Sequence, residues 1–109
     1  MIPSFVIKRR DRRPALRAQL LDENDAPVDL TGASVRFIMA SNPGQTPVVD
    51  GTATIVDATA GIVEYQWASG DTDVPGRYVA EFEVTFPDST TRTFPGDHYI
   101  YVEIVQDLG

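Results

Sequence analysis

The chain has no cysteine, so disulfide staples and thiolate metal sites are both excluded. Long apolar runs are also missing, and none is long enough to cross a membrane as a helix. The opening MIPSFVIKRRDRRP places its charge after a short apolar stretch, the reverse of a secretory signal. Synthesis and folding in a cytoplasm are therefore expected. No G-x-S-x-G elbow, phosphate-binding loop or dinucleotide fingerprint occurs, and no window carries the 3.6-residue periodicity of an amphipathic helix.

What is present is a chain of 109 residues with 42% hydrophobic content, enough for one domain with a real core. Net charge is −7, with an uneven distribution. Five of the nine basic residues (Lys8, Arg9, Arg10, Arg12, Arg13) lie within six positions, and 15 of the 16 acids come at or after Asp22. A basic arm, residues 1–13, thus precedes an acidic body, residues 14–109, with room in the arm for a first edge strand. Such asymmetry points to an interaction arm, and the acidic body speaks against a nucleic-acid-binding face.

Period-two alternation dominates the body. Arg77–Phe86 places Tyr78, Ala80, Phe82, Val84 and Phe86 on one face. The same reading gives strands at Leu16–Leu20, Ser34–Met39, Thr52–Val56, Ile62–Trp67 and His98–Val105. Turn signals separate them at Asp25-Ala26-Pro27, Asn42-Pro43-Gly44, Asp50-Gly51, Thr59-Ala60-Gly61, Pro75-Gly76, Pro87-Asp88 and Pro95-Gly96. Seven or eight short strands at this spacing predict an all-β fold, an immunoglobulin-like antiparallel β-sandwich held by packing alone.

Candidate chemistry is sparse. A catalytic role for the single histidine, His98, needs an orienting carboxylate, but neighbouring strand residues point to opposite faces, so Asp97 is not expected to serve. The clusters Asp22-Glu23-Asn24-Asp25 and Asp71/Asp73 lack the calcium-loop pattern and read as turn chemistry. Glu81 and Glu83 share one face of a strand, as glycosidase carboxylates do, yet a solvated sheet face looks the same. No catalytic residue, metal site or cofactor is expected. Trp67, Tyr65, Phe82 and Phe37 read as core. Tyr99 and Tyr101 oppose Ile100 and Val102, which makes them candidates for an exposed sugar or protein contact, or for the cover of a second core edge. The arm is the leading candidate for function: Lys8, Arg9, Arg10, Arg12 and Arg13 suit carboxylates on a partner.

The segment PALRAQLLDENDAPVDLTGASVRFIM, from Pro14 onward, resembles the N-terminal domain of phage baseplate upper proteins. The match rests on the first core strand, the Pro27-Val28-Asp29-Leu30-Thr31-Gly32-Ala33 turn, and Val35, Phe37 and Met39 of the next strand. Gly61–Trp67, Gly70-Asp71-Thr72, Gly76–Val84 and Phe94-Pro95 extend it over almost the whole chain. Ala26 stands where the family's turn carries glycine, and the N-terminal segment is unusually rich in arginine. The resemblance implies a non-enzymatic virion structural protein of the tail or baseplate, acting by protein–protein docking. Its partners would be other phage structural proteins, in a multi-copy or homo-oligomeric assembly, with no nucleic acid or membrane. Two alternatives share the same scaffold: a capsid decoration or head-fibre-base protein, and a carbohydrate-binding module using Tyr99 and Tyr101.

Overall fold

A computed structural model describes residues 4–109; the first three residues of the basic arm lie outside the described residues. Eight strands follow in order: β1 (Ser4–Lys8), β2 (Leu16–Gln19), β3 (Ser34–Ala40), β4 (Val49–Asp57), β5 (Ile62–Tyr65), β6 (Gly76–Thr85), β7 (Thr91–Phe94) and β8 (Ile100–Val105). No helix occurs among the described residues. The all-β class and the upper strand count agree with the alternation.

The pairing corrects one expectation. Where every pair was expected to be antiparallel, β1 runs parallel to β8, from Ser4 opposite Tyr101 to Lys8 opposite Val105. The sheet is therefore mixed, in the order β1-β8-β6-β3-β4-β5-β2, with β7 also on β6. The cause lies in the connectivity: β7 and β8 divide one edge of β6 between them, at Phe82–Thr85 and Gly76–Ala80 respectively. β8 then offers its outer edge, and the first segment of the chain fills it. Ile7 is buried, whereas Ser4, Val6 and Lys8 face outward, the alternation that one covered face imposes.

The ladder stays continuous because β4 serves two partners. Its first half pairs with β3 (Ala53 opposite Val35), and its second half with β5 (Thr54 opposite Glu64). A register shift between Ile55 and Asp57 bends the strand as a bulge does, and the sheet curls until it is nearly a barrel. Asp50-Gly51, read above as a turn, lies inside β4. Glycine leaves room there for a ring: a Cβ on Gly51 would stand 3.0 Å from Cε1 of Tyr65, the close approach that a glycine within a strand commonly marks.

The inside of the curl is aromatic. Phe37 stacks on Tyr65 at 4.5 Å between ring centroids, meets Trp67 edge-on at 5.7 Å and contacts Phe82 at 5.2 Å. All four rings are buried, as the alternation requires. Trp67 Nε1 has no hydrogen-bond partner among the described residues. Tyr65 keeps its hydroxyl satisfied by donating to Asp71 Oδ2 at 2.6 Å, and the same oxygen accepts the Ala68 N–H at 2.8 Å. Burial, reinforced by Asp71, pushes the Tyr65 hydroxyl well above the ordinary tyrosine range. The aspartate thus closes the Ala68–Asp71 turn and pins the stacked ring. Tyr65→Phe is expected to lower unfolding free energy by about 1–3 kcal/mol, the cost of a hydrogen bond to a charged acceptor. A urea titration with an unchanged slope would register it.

Candidate docking surfaces

After β1, residues 9–13 of the basic arm turn back and are fastened to the body. Beyond β1, the Arg9 N–H donates to Val105 O at 2.7 Å and extends the β8 ladder. Arg10 adopts a φ of 70°, and its N–H donates to Thr72 O at 3.1 Å. Thr72, 1% exposed, returns a bond from Oγ1 to Asp11 O at 2.9 Å. A buried hydroxyl with a backbone partner costs little, so the turn is locked onto the 67–72 loop from both sides.

These fastenings divide the five cations. Arg9 Nε is bound to Asp107 at 2.9 Å, and Arg12 Nε donates to Trp67 O at 3.0 Å. Lys8, Arg10 and Arg13 are exposed and have no ion-pair partner among the described residues. Charge clustering in the sequence marked all five alike. The division depends on Asp107 and the Trp67 carbonyl, 98 and 55 residues away, and no local pattern announces contacts of that span.

The two tyrosines differ as well. Tyr101 lies on the outer face of β8 between Ser4 and Val79 and is 42% exposed. Tyr99 precedes β8 and is half-buried against a shallow hollow of about 190 Å³ with Ile38, Ala40, Pro43 and Val79. Tyr101 is therefore available for contact, while much of Tyr99 covers the outer surface of the sheet.

A third surface was not anticipated. Curling leaves a seam where β2 faces β7 and the start of β8 across a cavity of about 840 Å³. Leu16, Leu20, Phe94 and Ile100, all buried core residues, line it, with Asp22, Glu23, Asp25 and Asp97 toward the rim. Glu23 reaches across to Arg92 at 3.0 Å, and the Arg92 guanidinium lies 5.0 Å from the Phe94 ring centroid. The Asp22 carboxyl is held below its ordinary value because the N–H groups of Ala26 and Asn24 donate to it. This is turn chemistry, the local role expected for that cluster. Among the described residues no group of three or more histidines or carboxylates is arranged to hold a metal. The seam escapes sequence reading because only long-range topology brings β2 and β7 together.

Of the two strand carboxylates Glu81 and Glu83, only Glu83 has a side-chain partner among the described residues. Glu83 accepts from Arg36 Nη1 at 3.0 Å, while Asp50 accepts from Nη2 of the same arginine at 2.9 Å, so one guanidinium ties β4, β3 and β6 on the outer face. Asp97 does contact His98 through Nδ1, contrary to the expectation of opposite faces. The reason is that residues 95–98 form a bend ahead of β8, and strand alternation does not apply to a bend. This hydrogen bond lowers the Asp97 carboxyl below its ordinary value.

Among curated proteins none matches the chain. The family model described as the BppU N-terminal domain matches residues 10–94, from the basic turn to the end of β7. The chain thus belongs to the family of baseplate upper protein N-terminal domains, structural domains of the bacteriophage baseplate.

Proposed function

We propose that this protein is a non-enzymatic structural component of a phage virion, located in the tail baseplate, and that it docks through the basic turn onto an acidic patch of a neighbouring phage structural protein. Family membership supports the location. The observation that carries the docking mode is the division of the arm. Arg9 and Arg12 are spent on Asp107 and the Trp67 carbonyl, and they present Lys8, Arg10 and Arg13 outward on a turn that is already ordered. A preordered turn loses little entropy on binding. Its charges have the sign to steer association with carboxylates and to be suppressed by salt. The acidic remainder of the surface makes phosphate-rich partners, nucleic acid or membrane, unfavourable. On the fold, the bend in β4 allows the continuous ladder to be described as two packed layers of an immunoglobulin-like sandwich.

The triple variant Lys8→Ser, Arg10→Ser, Arg13→Ser tests this reading. None of the three side chains is bonded to the body, so the thermal midpoint is expected to stay within about 2 °C, as for ordinary surface substitutions. Incorporation into particles assembled in host cells supplying the variant chain is expected to fall at least tenfold, corresponding to ~1.4 kcal/mol of docking energy. Particles that take up the variant as readily as the native chain would refute docking by the arm.

A further inference from the structure

We infer that the seam between β2 and β7 is a second docking site, which receives an extended, basic segment of a partner protein as an added strand. Three features carry this. First, both walls are open strand edges. Leu20 donates its N–H to Gly61 O on the β5 side of β2. With a period of two, the peptide groups of Arg17 and Gln19 therefore face the seam. On β7, the Phe86 N–H donates to Thr90 O, so the even-numbered positions bond β6 and the peptide groups of Thr91 and Thr93 face away from it. β2 pairs only with β5, and β7 only with β6, among the described residues. Unpaired edges are templates for strand addition.

Second, the floor is apolar and ready-made. Leu16, Leu20, Phe94 and Ile100 are at most 6% exposed yet line the cavity. Alternate side chains of an added strand would rest on them, as a pleated strand requires. Third, the lining has a sign. Four carboxylates (Asp22, Glu23, Asp25, Asp97) stand against two guanidiniums (Arg17, Arg92) and His98. Glu23 pairs with Arg92, Asp97 contacts His98 and Arg17 is engaged by Glu64 at 3.2 Å, which leaves Asp22 and Asp25 without an ion-pair partner among the described residues. The occupant is thus an extended segment that alternates apolar with basic side chains. β2 and β7 hold four residues each, so the paired stretch is about four or five residues, roughly 15 Å at the rise of a strand.

Ser4 and Phe5 of β1 also line this cavity, but Lys8, Arg10 and Arg13 do not, so the two docking sites are tested separately. The probe is a blocked heptapeptide of alternating valine and lysine, compared with the valine–glutamate peptide of the same pattern. Millimolar valine–lysine peptide is expected to slow hydrogen exchange of the Arg17, Gln19, Thr91 and Thr93 amides at least tenfold, and the glutamate peptide is expected to leave them unchanged. Glu23→Gln with Asp97→Asn, two exposed positions, is expected to weaken binding of the lysine peptide about tenfold while the exchange of core amides stays native. The Lys8→Ser, Arg10→Ser, Arg13→Ser chain is expected to bind the peptide as the native chain does, so failure of the arm reading leaves this one standing. Absence of protection at the four amides, protection along β1 instead, or equal response to both peptides would overturn the assignment.

Discussion

Phe37→Ala is expected to cost about 3–5 kcal/mol, the usual range for deleting a fully buried phenylalanine. Three observations place it at the upper end of that range. The ring is 0% exposed. It lies on the central strand β3, between β4 and β6. It is also the one ring in contact with Tyr65, Trp67 and Phe82 together. Because Phe82 and Tyr65 lie on strands, Tyr65 is also bonded to Asp71, and the Trp67 carbonyl is held by Arg12, the surroundings have little freedom to collapse, and the cavity term is retained. Domains of this size are stable by about 5–15 kcal/mol, so the variant loses a large share of its margin. A fall in thermal midpoint of roughly 15–25 °C is expected. A loss below about 1.5 kcal/mol would show that the aromatic cluster is not the centre of the core.

The second large effect is a backbone one. Gly61 has a φ of +67°, and a Cβ there would stand 2.7 Å from Leu20 O and 2.8 Å from Val28 O. Side chains adopt that φ at a cost of roughly 1–2 kcal/mol. Overpacking against atoms that cannot rotate away adds about 1–3 kcal/mol. Gly61→Ala is therefore expected to destabilise by about 3 kcal/mol or more. The damage would centre on β2, since Gly61 O accepts the Leu20 N–H. Gly70→Ala is the control: φ is +94° there, but nothing lies within 4 Å of the added atom, so only the strain of roughly 1–2 kcal/mol remains. Equal denaturant midpoints for the two variants would show that the Leu20 and Val28 backbone yields.

These two sites also mark the boundary of what one-dimensional pattern reveals. Phe37 was legible as core because Val35, Phe37 and Met39 alternate with Arg36, and burial on one face of a strand enforces that period. The same logic located β2, β3, β5, β6 and β8 to within a residue or two, and placed β4 too short. β4 runs through Asp50-Gly51 because a bare backbone there admits the Tyr65 ring, a contact across the fold that glycine's turn propensity hides. β8 begins at Ile100 and not at His98, since the Pro95–Asp97 bend delays it. β7 passed unread: in Thr91–Phe94 only Phe94 is buried, and one inward residue makes no period. Parallel pairing of β1 was invisible for another reason, because alternation tells which face is covered but not which strand lies alongside.

The docking surfaces follow the same division. Composition found the basic cluster, since charge is a local property. It did not show that Arg9 and Arg12 are internal fastenings, because their acceptors come from the far end of the chain and from the 67–72 loop. Tyr99 and Tyr101 share a parity and were read as a pair; the late start of β8 separates them, leaving Tyr101 the more exposed. The seam is a property of sheet closure alone.

The parallel alignment of β1 with β8 has a mechanical consequence. Ser4, at the start of β1, and Val105, at the end of β8, lie at opposite ends of one ladder five residues long. Tension applied to the two outer ends pulls the strands along their length, so the inter-strand bonds are loaded together and not peeled one after another. Rupture under load is governed by the unfolding barrier, and a barrier that requires several bonds to fail at once is higher than one crossed bond by bond. Load applied between Ser4 and Val105 would therefore be carried in shear along β1 and β8.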